Sequence, residues 1–484
     1  MARVLVLGAG ISGHTAAMNL RRLLKKKEHD VIVVSPQPEW NWVPSNIWVG
    51  TGKMARKKVV FPLAPFYKKK GIEWHQAYGR VIHPEGTADD PTPFVEIEYS
   101  DDENAGKTAK VEYDYLVNAT GPLLNFAATP GLGPAEGHSY SVCTADHAHE
   151  AGEVFQKHIE EMKQGAKKKF VVGTGHGTCT CQGAAFEYLF NIDGDLRENG
   201  LRDQAELIWI TNEAELGDFG VGGMIFDEDG YRTNSRLWTE SLFRERGIKA
   251  VVGAAVTEVR DGECSYVDLD GNKGTIDFDY AMLLPPFAGV KLGAVGPNGE
   301  DLYDKVFAPN NMMKVDAKYG VERKDWHASD WPVTYQSPAY DNIYAVGIAF
   351  APPHPISEPR TAPDGTNITP APPRTGMPSG DMATMVAKTI AERVKGKKVK
   401  ERNGSMAYLG AACVASTGTG FLAGSAASMV MDPVVPNKEE FPETGRSKYT
   451  VGKIGLFGHW TKLMLHYLFI YKAKGHPFWW LIPG

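Results

Sequence analysis

The chain has 484 residues, 43% hydrophobic and 23% charged, with a formal net charge of −6. That length holds two or three domains with sizeable cores in an ordinary globular composition. The acidic balance, with no nucleic-acid-binding motif, excludes nucleic acid as a partner.

In chain order, the first element is an apolar strand at residues 4–7, with no charged, apolar and cleavable leader ahead of it, so ordinary secretion is not expected. Gly8-x-Gly10-x-x-Gly13 follows and opens a helix that runs on through Ala16 and Ala17 to a second strand at 30–34. A strand before and a helix after give this glycine pattern its meaning, a βαβ unit with a right-handed crossover. The glycines let the backbone approach a pyrophosphate, and the helix N-terminus supplies free N–H groups and positive potential. The second strand ends in Ser35-Pro36 rather than Asp or Glu, so Ser35 offers the ribose only a weaker hydrogen bond. Residues 89–110 are polar and read as a hairpin or surface loop. Residues 113–121 form another buried strand, ending in Ala119-Thr120-Gly121.

A second strand–glycine–helix unit begins at Phe170 and continues through residues 207–211 and the run near Val251. Its glycine loop, Gly173-Thr-Gly-His-Gly-Thr-Cys-Thr-Cys-Gln-Gly183, sets Cys179 and Cys181 where a pyridine-nucleotide loop would meet its helix. A thiol at a helix N-terminus has its thiolate stabilised, so Cys181 is expected below the ordinary thiol pKa. Glu187, on the helix that follows, is a candidate proton carrier. The site reads as converted from nicotinamide binding to thiol chemistry. A later strand at 342–347 ends at Gly347, and a proline-rich stretch spans 352–378. Thr375-Gly376-Met-Pro-Ser-Gly380 opens a helix to about residue 394 and aims amide dipoles at a flavin pyrimidine edge. Two such units in series favour FAD at the N-terminal one, held by Gly8, Gly10, Gly13, Ser35, Ala119, Thr120, Gly121, Gly347, Thr375 and Gly376.

The five cysteines, Cys143, Cys179, Cys181, Cys264 and Cys413, are odd in number and too few for a disulfide scaffold. Cys179-x-Cys181 lacks the second ligand pair of a zinc site, which leaves redox or nucleophilic use of individual thiols. Cys264, in a polar strand and turn, reads as a buried filler. Cys143 lies in Ser141-Val-Cys-Thr-Ala-Asp-His147, where thiol, carboxylate and imidazole fall within five residues, and His147 is a second candidate proton carrier. Cys413 sits in the small-residue run Gly410-Ala-Ala-Cys-Val-Ala415. For Cys143 and Cys413, the residues alone leave structural and reactive roles open. Residues 455–472 and 477–483 are dominated by aromatic and aliphatic side chains. No stretch reaches the roughly 18 apolar residues needed to cross a bilayer. The pattern is that of a segment lying in a membrane interface, with Lys462, His466 and Lys472 expected at the headgroups. A dimer interface or a core helix is the alternative.

Val33-Val-Ser-Pro36, Trp42-Val-Pro-Ser-Asn-Ile-Trp-Val-Gly50, Ala119-Thr-Gly-Pro122 and Ser141-Val-Cys-Thr144 resemble stretches of sulfide:quinone oxidoreductases. So do Cys181-x-Gly-x-Ala-x-Glu187, Arg374-Thr-Gly376 and His459-Trp-x-Lys462, in the same order from the N-terminus to the aromatic segment. The resemblance implies FAD, hydrogen sulfide as substrate and membrane quinone as electron acceptor. It implies that Cys181 and Cys413 face the flavin as a disulfide or sulfur-bridged pair. Cys143 would lie farther out, where sulfide arrives; in some members the matching residue bonds to the flavin 8-methyl. Phe469 would line the quinone pocket, with Lys472 beside it. This sequence departs from the family in its extra Cys179, in Val414 where an aromatic can occur, and in Asp218 where some members carry His.

The expected fold is α/β: two interleaved Rossmann-like domains plus a C-terminal amphipathic membrane-docking module. Their limits are 1–140 with 300–395, then 141–299, then 396–484. A lipid surface met through the C-terminus, a homo-oligomer and a peripheral place on a prokaryotic plasma membrane, on a face left open, complete the expectation. The rival enzymes are the flavoprotein subunit of a haem-linked sulfide dehydrogenase and an NADH:quinone reductase. A non-catalytic sulfur-binding flavoprotein is the rival from another class.

Overall fold

The strand Ala2–Leu7 lies at the centre of a five-stranded parallel sheet, because Val4, Leu5, Val6 and Leu7 are apolar and buried. The computed structural model describes all 484 residues except 229, 375, 418–420 and 422–424, and the side chain of Glu228. On one side of the central strand come Tyr115–Asn118 and then Ile343–Ala345; on the other, His29–Val34 and then Glu73–His75. Continuous Val/Ile/Leu runs suit strands covered on both faces. The return strand Ile343–Ala345 arrives from more than 200 residues downstream of its neighbour, so the first dinucleotide fold is discontinuous in sequence. The helix it leads to, Gly376–Val394, packs on the glycine-loop helix Ile11–Leu23. The polar stretch after residue 89 is the expected hairpin, Phe94–Tyr99 against Thr108–Glu112.

A second parallel sheet runs Ile248–Val251, Ala205–Ile210, Lys168–Thr174, Tyr280–Leu284. Beside it lies an antiparallel sheet of Ala254–Arg260, Glu263–Asp268 and Lys273–Asp277. Cys264 is buried in its core and acts as filler. The C-terminal part is a third unit, with strands Ala411–Thr417, Ser425–Met431 and Val451–Gly455 followed by the helix Leu456–Ala473. The first of these strands is sandwiched between that helix and Gln182–Glu198, the helix of the second glycine unit. This sandwich joins the thiol-bearing loop to the aromatic tail.

The C-terminal helix is inverted relative to a helix of a water-soluble protein. Its inward face holds His459, Lys462, Leu463, His466, Phe469 and Lys472, and its outward face shows Phe457, Trp460, Met464, Tyr467, Leu468 and Tyr471. Phe457 is 78% exposed and Lys462 only 7%. This corrects the expectation that Lys462, His466 and Lys472 reach lipid headgroups. Each has a place inside the protein, and the outward face is aromatic and aliphatic. Among the described residues, no helix is long and apolar enough to cross a membrane.

Candidate functional site: a glycine cradle and a thiol cluster

The first glycine loop divides its labour in the way a bound pyrophosphate requires. A Cβ on Gly8 would overlap the Ala119 carbonyl, and one on Gly13 would overlap the Gly8 carbonyl, so these two glycines permit close packing. A Cβ on Gly10, the residue before the helix Ile11–Leu23, would meet nothing within 4 Å. Gly121, at φ +73°, likewise opens onto free space. These two positions form a cradle that side chains would fill, bordered by the N-terminal amides of a helix, and that fits a dinucleotide phosphate. Ser35 is buried at the end of its strand, its backbone held by His75 and Ala77. Thr120 donates to Asn118 Oδ1, 2.9 Å away, and shapes the turn before Gly121. Gly347, at φ +70°, abuts Ser12 so closely that a Cβ would strike its hydroxyl. Gly376 packs on Ile11 and Pro44 and begins the next helix; Thr375 lies outside the described residues. Arg374 was a motif member with no role read from sequence. It is half-buried beneath this corner and donates to the Gly347 and Phe350 carbonyls.

The second glycine loop is closed to a nucleotide. A Cβ on Gly175 would strike Leu132, and one on Gly177 would strike the backbone of Asn367. The proline-rich segment lies along the loop and is bonded to it. Thr369 N–H donates to the Gly177 carbonyl at 2.8 Å, and Ala371 N–H to that of Cys179 at 3.0 Å. Thr180 Oγ1 adds a bond to the Pro372 carbonyl at 2.8 Å. The segment 367–372 is thus fastened along this loop by three hydrogen bonds.

At the end of this sealed loop stand the thiols. Cys181 caps the helix Gln182–Glu198 with its backbone at φ +71°, a left-handed conformation that costs a non-glycine residue about 1–3 kcal/mol. Cys413, on the sandwiched strand, lies against the first turn of that helix. A Cβ on Gly183 would come 3.1 Å from its Sγ, so Gly183 makes the room for that sulfur. Cys181 is in electrostatic contact with both Cys413 and Cys143. The structure therefore gathers the three cysteines expected to react, all as free thiols; the Cys181–Cys413 bridge implied by the resemblance is not formed. Cys179, fully buried, donates its S–H to the Leu284 carbonyl at 3.0 Å and is in electrostatic contact with Cys143.

The electrostatics correct one expectation. Burial pushes the Cys181 thiol above its ordinary value, outweighing the helix amide at Ala184. Burial likewise pushes Cys413 and Cys143 up to about 12. Desolvation of the thiolate is the larger effect here, and it outweighs what the helix N-terminus offers.

The cation present is Lys462. Its Nζ lies 2.8 Å from Glu187 Oε2 in a pair with less than a tenth of either side chain exposed. Burial raises the Glu187 pKa and Lys462 opposes that shift. Glu187 raises both Cys181 and Cys413, whereas Lys462 lowers both. Further polar groups of the inverted helix tie it to the body. Ser416 Oγ bonds His459 Nδ1, and His466 Nδ1 meets Ser45 Oγ at 2.8 Å. Sequence reading missed this interior, although 459, 462, 466, 469 and 473 repeat at helical spacing. His147 lies in the first turn of the helix Ala145–Lys163, just after Cys143; its N–H donates to Thr144 Oγ1, and Phe126, Asp146 and Glu150 are also near it. Phe469 is buried and stacked on Trp42 at 4.8 Å, with Lys472 Nζ 5.7 Å from its ring. Burial brings Lys472 down to about 8. Phe469 and Lys472 thus share a narrow aromatic slot with Ile11, Trp42 and Gly484, directly beside the glycine-loop helix.

Residues 2–188 match the family described as pyridine nucleotide-disulphide oxidoreductase. The sulfide-quinone reductase of Aquifex aeolicus (strain VF5) is 30% identical over 471 residues, spanning 97% of this chain and 91% of that one. The chain belongs to the sulfide:quinone reductase family. The crystal structure of the sulfide:quinone oxidoreductase from the hyperthermophilic bacterium Aquifex aeolicus superposes on it with a TM-score of 0.75 at 29% identity. That match covers 98% of this chain and 92% of the other. NDH2 from Plasmodium falciparum, at 14% identity and a TM-score of 0.61 over 99% of each chain, shares the fold alone. The sulfide:quinone reductase fold is thus present from end to end, with two parallel-sheet units and a C-terminal strand-and-helix module.

Proposed function

We propose that this protein oxidises hydrogen sulfide at its cysteines and delivers the electrons to a membrane quinone through FAD. The observation that carries this reading is the gathering of Cys143, Cys181 and Cys413 at the end of a nucleotide loop closed by the protein's own backbone. FAD, bound at the Gly10–Gly121 cradle, supplies a two-electron acceptor that a quinone can reoxidise. The chain's own residues handle sulfur and protons. In the oxidised form Cys181 and Cys413 are joined as a disulfide, and hydrosulfide adds to the bridge. One S–S bond breaks and another forms, leaving a persulfide on Cys181 and a thiolate on Cys413. Lys462 stabilises that thiolate, and Glu187, whose Oε1 lacks a hydrogen-bond partner among the described residues, takes up or returns a proton. Cys143 guides incoming sulfide. Phe469 and Lys472 border the quinone, and the outward aromatic face of the C-terminal helix lies in the membrane interface. The functional partition follows 1–140 with 300–395 for FAD, 141–299 for the thiol loop and 396–484 for quinone and membrane.

The test is the flavin spectrum of the purified holoprotein. Sulfide should bleach it, added quinone should restore it, and NADH should leave it unchanged. Cys181→Ser should keep the flavin and lose the bleaching. A Cys181→Ser protein that bleaches at the wild-type rate would sink the proposal.

A further inference from the structure

The inverted helix leaves the membrane-facing surface without the cations the sequence placed there, yet the fold brings others to its edge from distant segments. Arg22, on the glycine-loop helix, holds its guanidinium 5.7 Å from the exposed Trp480 ring. Lys70 Nζ donates to the Gly475 carbonyl at 2.8 Å, just past the end of the C-terminal helix. Lys26 lies against Gly71, beside that lysine, and Lys474 stands 6.0 Å over the Phe61 ring. Lys58 is close enough to His466 to depress its pKa, and Lys388 acts in the same sense on Lys472. Of these six, only Lys70 is half-buried; the others are exposed. The carboxylates near this edge are engaged, Glu39 and Asp146 both by Arg56. Glu28 is tied to Lys25 at 2.8 Å, and Asp381 is half-buried against Lys472.

A cationic rim on a chain whose net charge is −6 is a local concentration against the global balance. It borders the exposed apolar surface of Tyr467, Phe478, Trp480 and Leu481. Apolar side chains edged by lysine and arginine match a bilayer whose headgroups carry negative charge. We infer that the protein docks selectively on anionic phospholipid, with the aromatic surface entering the interface and the rim of Arg22, Lys26, Lys58, Lys70, Lys388 and Lys474 reading headgroup charge. This rests on the docking assigned above and adds what selects the lipid. At an anionic surface each basic residue changes partition about fivefold, so three together change it on the order of 100-fold. The effect fades with salt as the screening length shortens.

The experiment is co-sedimentation of the full-length holoprotein with two vesicle types, phosphatidylcholine alone and an equal mixture with phosphatidylglycerol. Wild type should prefer the mixture, and salt should erase the preference. A Lys26→Gln/Lys58→Gln/Lys474→Gln variant should weaken the preference on the order of 100-fold while binding phosphatidylcholine as wild type does. None of the three belongs to the thiol or flavin machinery, so an unchanged flavin spectrum and unchanged sulfide bleaching in solution control for folding. Equal binding of wild type to both vesicles would overturn the lipid selectivity and leave apolar docking standing. So would a variant whose preference is as strong as that of wild type. Binding to neither vesicle overturns both.

Discussion

Lys462 is the most informative residue to remove, because a buried ion pair makes opposite demands on its single and double variants. Lys462→Met leaves the Glu187 carboxylate alone in a pocket where less than a tenth of its side chain is exposed. Breaking such a pair from one side costs about 3–5 kcal/mol, whereas replacing both charges together is close to neutral. Glu187→Gln/Lys462→Met should therefore recover most of the stability lost by Lys462→Met, which urea unfolding followed by flavin release and far-UV circular dichroism would measure. The same variants move the thiols in opposite senses. Lys462 lowers Cys181 and Cys413 and Glu187 raises them, so Lys462→Met should shift sulfide-dependent flavin bleaching to higher pH and Glu187→Gln to lower pH. The reasoning fails if both single variants shift the profile in one direction, or if the stability losses simply add.

Three further outcomes follow from geometry already described. Gly10→Val should fold with a near-native melting temperature yet purify without flavin, because its side chain enters open cradle space; Gly13→Val should not fold, because it meets the Gly8 carbonyl. Flavin retained by a folded Gly10→Val protein would refute the cradle. Cys179→Ser should bleach with sulfide as wild type does, since that thiol faces Leu284, whereas Cys413→Ser should not bleach. The pKa of His14 is depressed by burial from 6.5 to about 4, so the folded state refuses a proton that the unfolded chain accepts. Stability conferred by keeping His14 neutral is thus present above about pH 6.5 and lost as pH falls toward 4, by about 3 kcal/mol in total. His14→Gln should flatten that part of the stability–pH curve; an unchanged slope would count against it.

Much of the flavin domain was legible because its signals are local. Residues 4–7 and 30–34 are bare apolar runs, and the glycines between them mark a turn that both packing and a ligand require. The position of Cys181 at the mouth of a helix was equally local. Its pKa was not, since desolvation is set by elements hundreds of residues away, including the strand of Cys413 and the helix of Lys462. The closing of the second glycine loop was hidden for the same reason: Asn367 and Thr369 carry no motif, and only the fold lays their backbone on Gly177. Strand Ala411–Thr417 is built of small residues with weak strand propensity, so it could not be read until its two helical neighbours were seen. The direction in which the C-terminal lysines point was misread because aromatic and basic residues alternate there, and that mixture alone does not say which of them faces the protein.

The inverted helix also dictates an order of assembly. A segment that shows aromatics outward and hides a lysine and two histidines has nothing to gain from collapsing onto itself in water. Released early, it would bury the wrong side first. Its seat exists only once Glu187, Ser45 and Ser416 stand in place to receive Lys462, His466 and His459, and those three residues come from three separate parts of the chain. The globular body therefore supplies the seat on which this helix rests. A fault in any of those three parts would leave the polar face of the helix without its partners and its aromatic face without an anchor.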